Sequence, residues 1–328
     1  MTTTETITRL GVITNPAAQH NERFPYTHRR LERRLESSSD AIVTADRSEI
    51  DSAVRSLLVD RGINVLGING GDGTIHSTIG AVINLLKACP DVPKPRLLLL
   101  NGGTYNIASR AMRTNHNPVD TLRRFMARWG GAPVERISTR ELGLLDVTGS
   151  ESGRTLTGMV FGSQVIANAL ELCDDIGGGY TGFSEFLAKG VGGYFLKTGF
   201  FQENKWRLQH RADPILVDGQ GEHGTVGVVA STIDVKLARG LVWALSATDP
   251  ADGFHTKTIT AKNPSDVVRL IPFLLWELPH PMIIARPRTH KITTSGNFTL
   301  DGELYPDMGP IEVTMSPWRF DVVAGEDM

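Results

Sequence analysis

The stretch "LGINGGDGTIHSTIG", Leu66 to Gly80, carries an apolar run into three glycines around one aspartate, then into helix-forming sequence. It is one step of an alternation that runs from Leu10 to about Gly130. Short apolar runs, "RLGVIT" (9–14), "AIVT" (41–44), "INVLGI" (63–68) and "PRLLLL" (95–100), are separated by longer amphipathic segments. Strand and helix in turn demand a parallel sheet layered with helices. Ser48 or Asp51 precedes "AVRSLLV" as a cap, and Thr74 or Ser77 stands near the start of "TIGAVINLLKA". A further helix opens at Pro118 and stops at Gly130 and Gly131.

After about Val134 the runs shorten and become rich in Thr, Val and Gly, with turn signals between them. The expected fold is therefore an α/β N-terminal domain with a parallel sheet over residues 1–134. A β-rich antiparallel sandwich follows over 135–328, its final residues free to pack back on the first domain. One helix interrupts the β-rich part, "SDVVRLIPFLLWEL", which Pro272 should bend. At 328 residues the chain is long enough for two domains with sizeable cores.

A formal charge of −2 gives no overall field for nucleic acid, so attraction to an anionic surface must come from a local patch such as "HRRLERRLE", with Arg29, Arg30, Arg33 and Arg34. Cys89 and Cys173 are far apart and have no neighbour at metal-ligand spacing, which fits a reducing compartment. The start "MTTTETITRLGVI" lacks a secretory signal, and no run approaches the roughly 18 apolar residues of a membrane span. The expectation is a cytoplasmic protein that can touch a membrane peripherally without crossing it; homodimerisation is left open.

Glycines at the end of a strand let backbone N–H groups approach an anion, and the helix N-terminus that follows adds partial positive charge. Gly70, Gly71 and Gly73 suit a phosphate in this way, and Asp72 then makes sense through Mg²⁺, which bridges carboxylates to phosphates. The competing reading is a tight turn in which Asp72 caps a helix. "LLLLNGGTYNIASR", Leu97 to Arg110, repeats the arrangement one strand later with Gly102, Gly103, Thr104 and Asn106. Successive strand ends of a parallel sheet share one edge, so both loops would open on one crevice.

These residues resemble the diacylglycerol kinase catalytic superfamily, which includes sphingosine kinases and bacterial lipid kinases and, more distantly, NAD kinases and 6-phosphofructokinases. The resemblance rests on "GGDGT" (70–74), "GTYN" (103–106) and "LDGE" (300–303), in that order. Weaker echoes are "ITNPAA" (13–18), "GSQVIANAL" (162–170) and "ATDPADGF" (247–254). It implies a phosphofructokinase-like α/β domain, a β-rich domain and ATP held between them. Gly70, Gly71, Asp72, Gly73, Thr74, Ile75 and His76 would wrap the nucleotide phosphates, with Asn15, Thr44, Gly103, Thr104 and Asn106 lining the same site. Glu303 would take the proton of a lipid hydroxyl, with Asp301 orienting it or meeting the metal, although "DGE" between strand-like runs also reads as a plain hairpin turn. A structural Mg²⁺ would be held by Asp252 and by carbonyls of Asp249 and Phe254, where an ordinary turn is the other reading.

The implied activity is an ATP- and Mg²⁺-dependent lipid kinase acting on a diacylglycerol-like or sphingoid-like hydroxyl at a membrane surface. The aromatic, glycine-rich segment from Gly177 to Phe201 offers either an acyl slot or core packing. Two departures stand out: the first loop, usually Asn-Pro-x-Ser-Gly, continues after Pro16 as Ala17, Ala18 and Gln19 and so lacks a hydroxyl and a glycine, and Ile107 stands where an acid is usual. They admit a nucleotide-binding regulatory protein that has lost catalysis as an alternative. An NAD kinase-like enzyme is the other, although the Gly-Ser-Thr-Ala-Tyr type segment it should carry is missing.

Overall fold

The computed structural model describes residues 6–35, 37, 40–103, 106–114, 116–176, 203, 214–221, 224–237, 242–245, 253–275 and 278–327. The chain divides into two compact units, Met1–Leu142 with Trp318–Met328, and Gly143–Pro317.

In the first unit β1 (Leu10–Thr14), β2 (Ala41–Val43), β3 (Val65–Gly70) and β4 (Arg96–Asn101) lie parallel in the order β2-β1-β3-β4. Every residue of β1 and β3 is buried, as expected of strands covered on both faces. One face packs Leu10, Val12, Val65, Leu98 and Leu100 against Leu31 and against Val119, Leu122 and Phe125. Those partners belong to α2 (Thr27–Glu32), which follows the short α1 (Gln19–Arg23), and to α6 (Pro118–Trp129). Helix α6 starts at Pro118 and ends against Gly130, where the sequence placed it, and the Asn117 side chain caps it by accepting from the Asp120 N–H.

The opposite face is covered by α3 (Glu49–Arg55) and α4 (Asp72–Ala88). Ile75, Ile79, Val82 and Leu86 form the buried stripe of α4 at helical spacing. Two expectations are corrected here. Helix α4 begins at Asp72, taking in the glycine motif, because the Thr74 and Ile75 N–H groups both donate to the Gly71 carbonyl at 3.0 Å. Helix α3 does not run on through "SLLVD" but widens into a π-turn over Ser56–Asp60, and Ser48 at its start makes no side-chain cap.

The connection β1 to β2 leaves on one side of β1 and that from β2 to β3 lands on the other, so the loops after β1 and β3 diverge at the carboxyl edge of the sheet. Such a switch point opens the crevice in which ligands of open α/β sheets sit. A short helix, α5 (Ile107–Ala111), follows β4 at that same edge.

The second unit contains an antiparallel six-stranded sheet, ordered β14-β13-β10-β7-β16-β17. Its strands and their neighbours in chain order are β5 (Thr139–Gly149), β6 (Thr155–Gly158), β7 (Val160–Gln164), β8 (Leu216–Val217), β9 (Gln220–Gly221) and β10 (Thr225–Ser231). Then come β11 (Val235–Leu237), β12 (Val242–Leu245), β13 (Phe254–Thr260), β14 (Ile283–Thr289), β15 (Lys291–Thr294), β16 (Phe298–Leu300), β17 (Glu303–Tyr305) and β18 (Ile311–Val323). Phe161, Val228, Phe254, Phe298 and Leu300 from the sheet pack onto Leu145, Val147, Val217, Ile292, Ile311 and Val313 of a second layer, the sandwich core. The outer face is covered by α7 (Val165–Ile176) and α8 (Pro264–Leu275), through Val165, Leu172, Val267, Val268 and Leu270. Helix α8 runs past Pro272 to Leu275.

The end of β18 returns to the first unit, where Val322 pairs parallel with Leu97 of β4. No helix among the described residues is long and apolar enough to cross a membrane.

Phe125 is fully buried where α6 meets the sheet. Phe125→Ala is expected to cost about 3–5 kcal/mol by removing a ring and leaving a cavity, read as a lowered urea midpoint with unchanged m-value.

Candidate active site

The two glycine loops are in direct contact. In the register of β3 with β4, Asn69 lies beside Leu100 and Gly70 beside Asn101, so the chains leave the sheet side by side. A Cβ on Gly103 would stand 2.2 Å from the Cα of Gly71, and one on Gly102 would stand 2.6 Å from Asn69 Oδ1. A Cβ on Gly70 would lie 2.4 Å from the Thr74 side chain. Close approach, not an unusual backbone angle, accounts for these glycines.

Asp72 ties the loops together. Its Oδ2 accepts from the Ile107 N–H and its Oδ1 from the Ala108 N–H, both at 3.1 Å. The carboxylate that opens α4 thus caps α5, a neighbouring helix. Asn106 stands at the start of α5 in the left-handed region, at φ 49°. Its amide group closes the loop on itself: Oδ1 accepts from the Gly103 N–H at 3.0 Å and Nδ2 donates to the Gly103 carbonyl at 2.9 Å.

The loop after β1 joins the same cluster. Asn15 donates its backbone N–H to the Asn69 carbonyl at 2.9 Å and its Nδ2 to Thr74 Oγ1 at 3.0 Å, while its Oδ1 accepts from the Ala17 N–H. Asn21 is buried and bridges the two strand ends, its Nδ2 donating to the carbonyls of Asn15 and Asn69. The His20 N–H reaches the Gly102 carbonyl at 3.1 Å. His20 is held below its usual pKa, first by partial burial and then by the Arg23 charge. Thr44, buried after β2, donates its N–H to the Thr14 carbonyl at 2.9 Å. Arg47 reaches Ser77 Oγ at 2.7 Å, and Ser77 in turn donates to the Gly73 carbonyl.

Among the sequence-selected residues of the first unit, Asn15, Gly70, Gly71, Asp72, Gly73, Thr74, Gly103 and Asn106 form one bonded group at the sheet edge. Thr44 lies at the end of β2, which pairs with β1. Ile75 turns into the core and His76 is half-buried on the first turns of α4. Thr104 lies outside the described residues. Asn21 and Asn69 escaped the sequence reading because their amides serve segments far away in the chain.

In the second unit Asp301 and Gly302 both have positive φ, 54° and 86°, and form the two-residue turn between β16 and β17. That is the Asp-Gly hairpin geometry of a type I′ turn. The segment is therefore not extended, and Asp301 and Glu303 do not share one face of a strand. Asp301 is turned inward: its Oδ1 accepts from the N–H groups of Met159 and Val160 at 2.8 Å each, and its own N–H donates to the Val160 carbonyl. A Cβ on Gly158 would lie 2.6 Å from Asp301 Oδ2, so that glycine keeps the approach open. Glu303 is the first residue of β17, half-buried, and pairs with Leu300.

An acid that the sequence reading missed lies close to Glu303. Asp174, near the end of α7, is held above the usual carboxylate range by burial and by the charges of Asp175 and Glu303. The signal was present as adjacent acids in "LCDDI". Phe254 sits in β13 opposite Thr289, with its ring in the sandwich core. Its expected partners Asp249 and Asp252 lie outside the described residues, as does the aromatic segment from Gly177 to Phe201 except Gly177's preceding helix.

Nucleotide phosphates suit the head of α4. The Thr74 and Ile75 N–H groups bond to the Gly71 carbonyl, which leaves the N–H groups before them, at the head of this 17-residue helix, outside the helical ladder. Among the described residues a Cβ on Gly71 would meet only the Gly103 Cα, at 3.4 Å, an ordinary contact. Among the described residues no group of three or more His, Cys, Asp or Glu is gathered for a metal. Asp72 is the carboxylate at the loop that would meet a cation carried by phosphate oxygens.

Two neighbouring glycines give separable outcomes. Gly71→Ala is expected to fold normally, because its Cβ makes only ordinary contacts, yet to lose nucleotide affinity in a calorimetric titration. Gly103→Ala is expected to lower the thermal midpoint, because its Cβ would meet backbone at 2.2 Å. Asp72→Ala, which strips two N–H groups at α5 of a charged acceptor, is expected to cost about 1.5–3 kcal/mol in urea unfolding.

Residues 9–130 match the family model for the diacylglycerol kinase catalytic domain. No curated protein matches the chain significantly. Several solved structures share its fold. One from Bacillus anthracis str. Sterne, provisionally named a diacylglycerol kinase, superposes with a TM-score of 0.63 at 14% identity, covering 99% of this chain and 98% of its own. A second from that organism, described as a diacylglycerol kinase, gives a TM-score of 0.58 at 14% identity, covering 96% of each chain. At such identity the structures speak to the fold alone, and the family match is confined to residues 9–130, the segment that carries both glycine loops and the residues around them.

Proposed function

We propose that this protein is an ATP- and Mg²⁺-dependent lipid kinase that phosphorylates a hydroxyl of a diacylglycerol-like or sphingoid-like lipid. The observation that carries this reading is the bonded pair of glycine loops at the switch point of the parallel sheet. Phosphoryl transfer needs positioning, charge neutralisation and a base, and little covalent chemistry from the protein.

In this reading the N–H groups at Gly71, Asp72 and Gly73 hold the nucleotide phosphates, with Asn106 and Thr104 beside them. Asn15 fixes Thr74 from the β1 loop, and Thr44 borders the same edge. Bound ATP supplies the phosphoryl group, and Mg²⁺ offsets the negative charge that builds on its oxygens. Glu303 accepts the proton that the lipid hydroxyl loses as its oxygen bonds to the γ-phosphorus, while the bond from that phosphorus to the bridging oxygen breaks and ADP leaves. Asp301 acts by fixing the hairpin that presents Glu303. A structural Mg²⁺ at Asp252, Asp249 and Phe254 belongs to the same proposal. The work is done from the cytoplasm, at the surface of a membrane that supplies the lipid.

The test is incubation of the purified protein with labelled ATP, Mg²⁺ and a panel of lipids with NAD included. Label is expected in a lipid. Glu303→Ala should lower kcat by about 10²–10⁴-fold while leaving nucleotide affinity intact. Label on NAD would replace the lipid reading with an NAD kinase-like one. Nucleotide binding with no labelled acceptor would make the protein a regulatory relative that has lost catalysis.

A further inference from the structure

The segment between β1 and β2 carries an exposed cluster that the site does not use. Phe24 is 50% exposed and Tyr26 67% exposed, the two most exposed aromatic side chains among the described residues. Around them stand Arg23, Arg29, Arg30, Arg33 and Arg34, all exposed. The Arg23 guanidinium lies over the Phe24 ring, 5.7 Å from its centroid, and that of Arg29 lies over Tyr26 at 6.0 Å.

The arrangement follows from the helix. Thr27 and Leu31 are the buried residues of α2, four apart, and Leu35 packs on the same core. Tyr26, Arg29, Arg30 and Arg33 follow the i, i+3, i+4, i+7 spacing of one helical stripe, turned away from that core. Helical bonding covers this length, since the Arg30 N–H donates to the Tyr26 carbonyl and the Arg33 N–H to the Arg29 carbonyl. Among the described residues, none of the five arginines has an ion-pair partner. Five arginines outnumber the acids Glu22 and Glu32 of the described segment, so positive charge prevails around two aromatic rings on a chain whose overall charge is −2.

We infer that the face formed by Phe24, Tyr26, Arg29, Arg30 and Arg33 docks on an anionic lipid bilayer. Arginines next to a bilayer attract acidic headgroups, and amphipathic aromatic rings settle at the headgroup level. The two requirements of peripheral attachment, apolar insertion and charge attraction, are met by one short stripe. The inference extends the lipid-kinase reading by naming where the bilayer is met. Its test uses neither nucleotide nor turnover, so the two stand or fall separately.

The experiment is co-sedimentation of the full chain with vesicles of phosphatidylcholine alone and of phosphatidylcholine mixed with phosphatidylglycerol, at low and high salt. Binding is expected only with the anionic vesicles, and high salt should weaken it. Arg29→Ala with Arg33→Ala should weaken binding about 25-fold, at about fivefold for each arginine. Phe24→Ser with Tyr26→Ser should weaken it in a way that salt does not reproduce. Both pairs are at the surface, so their circular dichroism should match that of the parent. Equal sedimentation with both vesicle types, or undiminished binding by the arginine pair, would overturn the inference. So would tight binding to a duplex oligonucleotide with none to vesicles, which would assign the face to a nucleic acid.

Discussion

The carboxylate of Asp72 is the joint on which the first unit's sheet edge depends. Helix α5 is only five residues long and supplies few internal bonds for its own N-terminus, so its placement rests on an outside acceptor. Asp72 provides that acceptor from the first turn of α4, and the glycines remove every Cβ that would keep the two loops apart. Asn15 and Asn21 then lock the β1 loop to the same edge. A charge inside a phosphate-type loop looks misplaced until its partners are seen to be backbone N–H groups of the next loop. With its charge shared by those donors, Asp72 repels an approaching anion less than a free carboxylate would.

Asp301 performs a comparable service in the second unit. It sits at a left-handed position, where Asp is tolerated better than most residues, and satisfies two N–H groups at the start of β7. In both motifs the acid organises backbone from a sequence-distant segment. The placement of neighbouring groups, the N–H groups of α4 and the carboxylate of Glu303, depends on that organisation.

Much of the architecture was legible in the sequence, because strands buried on both faces read as unbroken apolar runs and α6 is bracketed by Pro118 and Gly130. The start of α4 was not, since glycines read as loop unless their carbonyls are known to accept from the residues that follow. The π-turn at Ser56–Asp60 has no local marker, because "SLLVD" would serve an α-helix equally well. The identity of the glycine loops was legible, but not their contact, nor the destination of the Asp72 carboxylate. Those depend on the register of β3 against β4, which local sequence does not encode. The Asp-Gly turn at Asp301 was legible as a hairpin, and the positive φ of both turn residues is that geometry.

The return of the chain after β18 has a consequence for how the molecule is made. Val322 pairs with Leu97, Val323 enters the core beside Phe125, the Gly325 N–H bonds the Met112 carbonyl, and Glu326 meets both Arg113 and Arg140. The first unit is thus completed by residues synthesised after the second unit, although most of it is synthesised first. Domains usually fold in order of emergence, but here the β4 side of the early sheet keeps an uncovered strand edge until the residues after Pro317 have been translated. A finished first unit therefore follows translation of the second, and not the appearance of the glycine motif.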